Sequence, residues 1–264
     1  MALPAPRRFG AVNWRGLRTL VWRGVWRYFK MAWHTLGGPC ISSLLLLAVF
    51  VLAAGGAGQM VPGIALAEFL VPGIVMFQLA HAAFENAAFP VLDDKLEGMI
   101  GDILAAPLSP LEILAGYVLP AVASGLMTGM AILGLGWLFA DLRLHDLGAL
   151  VGFALAAALL FALLGTFIGL WADRWEHYAM AENFVILPLG FLSGTFFTLS
   201  SLPEAARPLI ALNPVFHAVG GVRYALTGYA ETALLPGALL LGGPILLLWL
   251  LLWRLFATGY KIKP

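Results

Sequence analysis

Residues 148–171 read GALVGFALAAALLFALLGTFIGLW, a run without a single charge and with one polar side chain, that of Thr166. About 20 consecutive apolar residues are enough for a helix to cross the hydrocarbon core of a bilayer. The whole chain has the same character, since 61% of its 264 residues are hydrophobic and 11% are charged. An average soluble domain is about 45–50% apolar and about 25% charged. We therefore predict an all-α membrane protein, because a soluble domain of this length could not bury so much apolar surface.

Further apolar stretches accompany this run and bring the predicted transmembrane helices to six. They cover residues 37–58, 65–89, 112–139, 148–171, 179–199 and 236–257. The second of these spans is the most polar, and it contains Glu68, Gln78, His81, Glu85 and Asn86. We divide the chain into a cytoplasmic N-terminal segment, residues 1–35, and a transmembrane domain, residues 36–264.

The segment at 14–33, WRGLRTLVWRGVWRYFKMAW, is both aromatic and basic. Its basic residues are Arg15, Arg18, Arg23, Arg27 and Lys30. Each Lys or Arg at the centre of a membrane costs about 2.5–3.5 kcal/mol, which argues against insertion. Apolar residues recur at steps of three and four, at Trp14, Leu17, Val21, Val25 and Tyr28. We predict a helix lying flat on the membrane, with the basic residues opposite this apolar face. The alternative is a buried amphipathic helix of a soluble domain.

The basic residues also predict an orientation, because cytoplasmic segments carry the excess of Lys and Arg. With six spans and both chain ends in the cytoplasm, twelve basic residues are cytoplasmic and three are on the outer side. The cytoplasmic ones are Arg7, Arg8, Arg15, Arg18, Arg23, Arg27, Lys30, Lys95, Arg174, Arg254, Lys261 and Lys263. The outer ones are Arg143, Arg207 and Arg223. The net charge of +1 gives no indication of a nucleic-acid partner.

This orientation makes the charged stretch DDKLEGMIGDILAAPLSP, residues 93–110, cytoplasmic. Helical spacing predicts one short helix, at about 92–106, that ends before the two prolines. Its apolar face consists of Leu92, Leu96, Met99 and Ile103, and its polar face of Asp94, Glu97, Gly98, Gly101 and Asp102. A solvated connector is one interpretation. The other is that the apolar face contacts the bilayer, the protein's own helix bundle or another subunit.

Three stretches resemble the permease subunits of ABC-2-type transporters. They are FLVPGIVMF (69–77), KLEGMIGDILAAPLSPLEILAGYVL (95–119) and FLSGTFFTLSSLPEAARPLIALNPVFHAVGGVRYALTG (191–228). The resemblance runs over nearly the whole chain, and these three motifs occur in it in this order. They are similar to the start of that family's second span, to its cytoplasmic coupling segment, and to its fifth span with the outer segment that follows.

The resemblance implies a homodimeric exporter in the plasma (bacterial inner) membrane, working with two copies of a separate ATPase subunit that binds ATP and Mg. It implies that the short helix docks into that subunit through Leu96, Glu97, Gly98, Met99, Asp102 and Ile103. Leu96 and Met99 would be the apolar anchors, and Glu97 and Asp102 the charges at the rim. The N-terminal helix would lie beside the same subunit. The expected substrate is amphipathic, drug-like or lipid-linked.

A P-loop is absent from the sequence. That motif needs a lysine directly after a glycine, so that the backbone cradles phosphates which the lysine also reaches. The lysines are Lys30, Lys95, Lys261 and Lys263, and none follows a glycine. We therefore predict that this chain is not an enzyme, binds no cofactor or metal, and depends on the other subunit for ATP hydrolysis.

Two regions keep alternative interpretations. The outer segment at about 200–235 is either one or two re-entrant helices, as the resemblance implies, or a pair of helices lying on the outer surface. The polar and aromatic residues assigned to a transport path, or alternatively to packing, are Gln78, His81, Glu85, Phe196 and Phe197. An ATP-independent secondary carrier could use the polar row of the second span. A membrane scaffold or a lipid-modifying enzyme is a third class.

Overall fold

The computed structural model describes residues 12–53 and 58–261. Its first half contains α1 (Trp14–Lys30), a π-helical turn (Trp33–Gly37), α2 (Gly38–Ala53), a hairpin of β1 (Gln59–Val61) and β2 (Ile64–Ala65), α3 (Leu66–Leu96), α4 (Ile100–Ala105) and α5 (Pro110–Gly136). Its second half contains α6 (Leu147–Trp171), α7 (Trp175–Ala181), a π-helical turn (Glu182–Ile186), α8 (Leu187–Phe191), a 3₁₀ turn (Leu199–Ser201), α9 (Arg207–Ala211), α10 (Pro214–Thr227) and α11 (Leu234–Thr258). The predicted all-α fold class is confirmed.

Five described helices are long and apolar enough to cross a membrane. They are Trp33–Ala53, Leu66–Leu96, Pro110–Gly136, Leu147–Trp171 and Leu234–Thr258. Five of the six predicted spans fall on these helices. The predicted span at 179–199 falls on a shorter helical stretch, in which α7, the π-helical turn and α8 follow one another, and then on irregular chain.

Helix α3 is the central element of the bundle, and glycines on its neighbours allow the close approach. A Cβ added at Gly165 of α6 would lie 2.2 Å from the carbonyl oxygen of Phe84. A Cβ added at Gly125 of α5 would lie 2.8 Å from the carbonyl oxygen of Leu79. Backbones approach this closely only where side chains are small. Helices α5 and α6 are therefore packed backbone to backbone against α3.

The ends of the helices define two ends of the bundle. One, here called the α4 end, contains α4, the last turns of α3, α6 and α11, and the first turn of α5. Lys261, just after α11, donates to the carbonyl oxygen of Trp171 at the end of α6 (2.8 Å), so these two helices finish side by side. Since α6 and α11 both end here, the chain between them returns to the opposite end before α11 begins.

Helix α10 is buried along one face of the bundle between α3, α6 and α11. Its last turn is at the end opposite α4, where the carbonyl oxygen of Leu226 accepts a hydrogen bond from the Arg143 amide (3.2 Å). Its first turn lies deeper, since Val215 shares a small cavity with Phe77 and Phe161. At 1.5 Å per residue, Phe77 lies roughly 16 Å from the start of α3 and Phe161 roughly 21 Å from the start of α6.

The predicted single helix at 92–106 is not formed. Helix α3 continues past its predicted end to Leu96, and Gly98 then adopts φ = 77°, a left-handed conformation that breaks the helix. A separate helix, α4, follows at Ile100–Ala105. Leu92 is consequently buried within α3 while Met99 is exposed, so the two do not share one face. Glycine tolerates positive φ where other residues are strained, which is why the break occurs at this position.

Candidate functional site

The turn between α3 and α4 is the exposed part of the predicted contact segment. Leu96 is 44% exposed and Met99 36% exposed, and Glu97, Gly98 and Asp102 are exposed with them. Ile103 is half-buried, and its neighbour Ile100 is buried against the core. Four of the six predicted contact residues, at 96–99, thus form an exposed turn, and the other two, Asp102 and Ile103, lie in α4. We call residues 96–103 the projecting segment.

The N-terminus of α1 is tied to the chain just after the projecting segment. The Asn13 amide donates to the Glu112 carboxylate, and the Asn13 side-chain amide donates to the carbonyl oxygen of Pro107 (3.1 Å). Glu112 also accepts from the amide of Ser109, whose hydroxyl accepts from the Glu112 amide, a capping box that starts α5. Asn13 caps α1 by accepting from the amide of Gly16 (3.1 Å). One residue therefore joins the starts of α1 and α5.

The middle of α1 is tied to the chain just before the projecting segment, through Asp94. This carboxylate is fully buried. It accepts hydrogen bonds from the guanidinium of Arg23 and from the hydroxyl of Tyr117 (2.7 Å), and Arg27 lies 3.9 Å away. A buried charge is stable only when it is paired and hydrogen-bonded, and these partners meet that requirement. Helix α1 is thus fastened to both sides of the projecting segment.

This ion pair corrects the predicted faces of α1. Arg15, Arg18 and Lys30 are exposed as expected, but Arg23 and Arg27 point inward. Leu20 and Tyr28 are the buried apolar residues of the helix, so Tyr28, which was assigned to the face toward the membrane, packs into the protein instead. The prediction that all five basic residues share the outer face is wrong, because Asp94 draws two of them into the protein. The prediction also placed Asp94 on a polar face, whereas it is buried.

The exposed side of α1 is aromatic. Trp22, Trp26 and Phe29 are all more than half exposed, and the rings of the two tryptophans stack with their centroids 6.4 Å apart. A groove of about 900 Å³ separates α1 from α4, with Leu20 on one wall and Ile103 on the other. The projecting segment and α1 therefore lie side by side on the protein surface and form the two walls of this groove.

Asp173, directly after α6, joins three helix ends at the α4 end. Its two carboxylate oxygens each accept from a lysine at 2.7 Å, Lys95 of α3 and Lys261 after α11. Hydrogen bonds from the two ammonium groups lower the pKa of Asp173 to about 2, and that of Lys261 has the larger effect, followed by that of Lys95. The carboxylate is half-exposed, so the ion pairs are partly screened by solvent. Asp173 was not predicted, although its position after an apolar run is visible in the sequence.

The lowered pKa of Asp173 predicts where the contribution of this cluster to stability changes with pH. A carboxyl group whose pKa falls on folding stabilises the native state above its unfolded pKa, and this stabilisation is lost as the pH falls through the folded value. We expect the difference in thermal midpoint between the wild type and Asp173→Asn to be constant from about pH 8 to pH 5. It should shrink below about pH 4. Thermal unfolding in detergent across this range measures it, and a difference that changes between pH 6 and pH 8 contradicts it.

The polar row of α3 is paired with other helices. The Gln78 amide donates to the hydroxyl of Ser43 on α2 (3.1 Å), and the His81 Nε2 lies 2.9 Å from the Glu182 carboxylate of the second π-helical turn. Glu85 is half-buried one turn further along. Glu182 is the functional candidate that sequence reasoning missed, and its carboxylate inside a predicted apolar span was the available signal.

The two phenylalanines assigned to the same path lie in the irregular chain after α8. The ring of Phe196 stacks on that of Phe50 of α2, with centroids 5.3 Å apart, and Phe197 is half-buried. Arg223 supports this irregular chain from α10. It is 1% exposed, donates to the carbonyl oxygen of Gly194 (2.8 Å), and its guanidinium carbon lies 3.7 Å from the ring centroid of Phe69.

Comparison with known proteins places this bundle in a family. The model of the ABC-2 type transporter family matches residues 15–227, which include α1, the projecting segment and α10. The chain belongs to the ABC-2 type transporter family. The resemblance noted in the sequence is confirmed.

Two relatives show what this permease is similar to. The inner membrane transport permease YadH of Escherichia coli (strain K12) is 28% identical over 250 residues, which are 95% of this chain and 98% of that protein. Nodulation protein J of Rhizobium leguminosarum bv. viciae is 28% identical over 222 residues, 79% of this chain and 83% of that protein. The permease is a multi-pass inner-membrane protein. Permeases of this family are transport components rather than enzymes, and they normally work with an ABC ATPase partner.

Proposed function

We propose that this permease is the membrane subunit of an ATP-driven exporter, and that the projecting segment is where a separate ATPase subunit drives it. The observation that carries the proposal is the fastening of this exposed segment on both sides, by Asn13 and Glu112 on one and by Arg23 and Asp94 on the other. A force applied to Leu96 or Met99 would therefore move α1, α3 and α5 together. ATP and Mg bind to the ATPase, and the complex contains two copies of each subunit.

The permease crosses the membrane six times in this proposal, with both ends in the cytoplasm. Since α6 and α11 both end at the α4 end, the chain between them has to cross once more, and Trp175–Phe191 provides most of that crossing. Its 17 helical residues extend about 25 Å, and the irregular chain after them supplies the rest of a roughly 30 Å core. The α4 end is cytoplasmic because Lys95, Arg174, Arg254 and Lys261 lie there. Arg7, Arg8 and Lys263, which were counted in the same asymmetry, lie outside the described residues.

Helices α1 and α10 have specific places in the membrane in this orientation. The aromatic side of α1 lies in the cytoplasmic membrane interface, where Trp and Phe are stable against headgroups while Arg15, Arg18 and Lys30 attract anionic lipid. Helix α10 is a re-entrant helix of the outer leaflet. Its burial between α3, α6 and α11 supports this role, because irregular chain such as that around Asn213 is tolerated at membrane depth only when protein covers it.

The substrate is amphipathic, drug-like or lipid-linked and moves outward beside the polar row of α3. Gln78, His81, Glu85 and Glu182 are half-buried at membrane depth, although exposure of such groups to lipid is unfavourable. A path between two copies of the permease would give them a polar surrounding, with Phe196 and Phe197 contacting the apolar part of the substrate.

The test is co-purification of the tagged permease from its native host in mild detergent. We expect an ABC ATPase in near-equal amount, and we expect Leu96→Asp combined with Met99→Asp to reduce its recovery by at least about tenfold, because two apolar anchors become charged. Leu144→Asp is the matched control, since Leu144 is also half-exposed but lies at the opposite end. Recovery of the ATPase with the double variant at the wild-type level would contradict the docking proposal, and a wild type without any ATPase would contradict the exporter.

A further inference from the structure

The two lysines paired with Asp173 also contact three successive carbonyl oxygens at the C-terminal end of α6. Lys95 donates to the carbonyl oxygens of Leu170 (3.1 Å) and Ala172 (2.7 Å), and Lys261 donates to that of Trp171 between them (2.8 Å). The last carbonyl groups of a helix lack partners within the helix and carry partial negative charge, so two ammonium groups are well placed there. The end of α6 is thus held by one lysine of α3 and one that follows α11.

The backbone after α11 is shaped for this contact. Gly259 adopts φ = 72° and ends the helix, and Lys261 itself adopts φ = 55°. Lys261 is the only non-glycine residue of the described chain with positive φ. Side chains other than Asn and Asp rarely occupy this region, since it crowds the Cβ atom. The unfavourable conformation of Lys261 is offset by its ion pair with Asp173 and its hydrogen bond to the carbonyl oxygen of Trp171.

Lys95 connects this cluster to the projecting segment, because it is the residue directly before Leu96. Its side chain is mostly buried, in contrast to the half-exposed side chain of Asp173. A displacement of the projecting segment would therefore pull on the end of α6 through Lys95. Among the residues that the structure describes, Asp173 is the one side chain that both lysines contact, with one oxygen for each.

We propose that Asp173 is a positioning residue that couples the projecting segment to α11. When an ATPase moves the projecting segment, Lys95 displaces Asp173, and Asp173 in turn displaces Lys261 and the end of α11. This inference rests on the proposed function, because it requires an ATPase that moves the segment. It assigns a role to a loop residue that lies outside the segment contacting the partner. Helix α11 has no other ion pair to α3 or α6 among the residues that the structure describes.

The experiment compares hydrogen–deuterium exchange of the permease–ATPase complex with and without a non-hydrolysable ATP analogue. In the wild type we expect the analogue to change exchange in peptides of residues 96–105 and also of residues 255–261. In Asp173→Asn we expect the change at 96–105 to persist, and the change at 255–261 to fall at least about threefold. Asp173→Glu keeps the charge and should restore most of the second change. Lys261→Met keeps the pair of Asp173 with Lys95 and removes the contacts of Lys261 with Asp173 and with the carbonyl oxygen of Trp171. It should behave like Asp173→Asn at 255–261, which covers the case in which Asp173→Asn does not fold.

Glu176→Gln is the matched control, since Glu176 is an exposed acid three residues further along and forms no ion pair in the described chain. It should leave both changes at the wild-type level. An undiminished change at 255–261 in Asp173→Asn or in Lys261→Met overturns the inference and leaves the proposed function intact. A wild type in which the analogue changes 96–105 alone also overturns it. A wild type without any change at 96–105 contradicts the proposed function itself, and the inference with it.

Discussion

Replacement of Asp94 by alanine is expected to destabilise the permease by on the order of 3 kcal/mol. The carboxylate is fully buried, and its removal leaves the guanidinium of Arg23 and the hydroxyl of Tyr117 without their acceptor. Removal of one partner from a buried ion pair costs about 3–5 kcal/mol, and the partial exposure of Arg23 places this site at the lower end. The thermal midpoint in detergent should fall by roughly 6–12 °C.

The neighbouring acid provides the control for this substitution. Asp93 is half-buried, and its side chain forms no hydrogen bond or ion pair in the described chain, so Asp93→Ala should shift the midpoint by no more than about 2 °C. Asp94→Asn keeps the shape and one acceptor but loses the charge, and it should fall between the two. If Asp94→Ala unfolded at the wild-type temperature, the ion pair would not be what holds α1 against α3.

The same substitution should also weaken the link between the ATPase and the membrane helices. Without Asp94, α1 remains tied to α5 through Asn13 and Glu112, but it loses its ion pair with the last turn of α3. We expect the complex still to form, because Leu96 and Met99 are unchanged. The change in hydrogen–deuterium exchange that the ATP analogue causes in α1 should become smaller relative to the change at 96–105. An equal loss at both places would mean that the substitution acts only by unfolding the protein.

Replacement of Gly165 by alanine is expected to separate α3 from α6 and to destabilise the permease by about 3 kcal/mol, the upper end of the usual cost of overpacking. The added Cβ would lie 2.2 Å from the carbonyl oxygen of Phe84 and 3.0 Å from the Cβ of Ala87. The nearest atom belongs to the backbone of a helix, so no side-chain rotation relieves the clash. The intrinsic preference of a helix for alanine over glycine returns only about 1 kcal/mol.

Gly152 is the matched control, because it lies on the same helix and a Cβ added there would meet nothing within 4 Å. Gly152→Ala should leave the thermal midpoint unchanged or raise it slightly, since only the helix preference acts. The two variants are compared by thermal unfolding and by yield after membrane extraction. Equal midpoints for both variants would show that α3 and α6 do not pack as closely as their glycines allow.

The pattern of glycines illustrates what sequence reasoning could predict about packing. The pairs Gly125 with Gly129, Gly165 with Gly169, and Gly190 with Gly194 each predict close helix contacts, but spacing alone does not name the partner. In the folded protein Gly129, Gly169 and Gly190 face Leu79, Ala88 and Phe77, all on α3. The partner was unpredictable because a helix with apolar residues on all sides gives no preferred face.

The projecting segment shows the opposite balance. Its acids Glu97 and Asp102 were predicted on a polar face and are exposed, whereas the shape of the segment depends on one backbone torsion at Gly98. A helical period extended through that glycine placed Leu92 and Met99 on one face, and the break at 97–99 separates them. Periodicity assumes an unbroken helix, and a single left-handed residue invalidates it.

The sequence by itself determined that this protein is an all-helical membrane protein and where five of its long helices lie. Each of these follows from composition summed over neighbouring residues, since the free energy of placing a helix in lipid depends on that helix alone. Only the tertiary structure decided that Arg23 and Arg27 turn inward to Asp94, that Asp173 joins two lysines, and that α10 is buried. Arg23 is 71 residues from Asp94, and Lys261 is 88 from Asp173. Such pairs form only after the helices have packed, because the packing alone brings their charges together and removes the water that would otherwise solvate them.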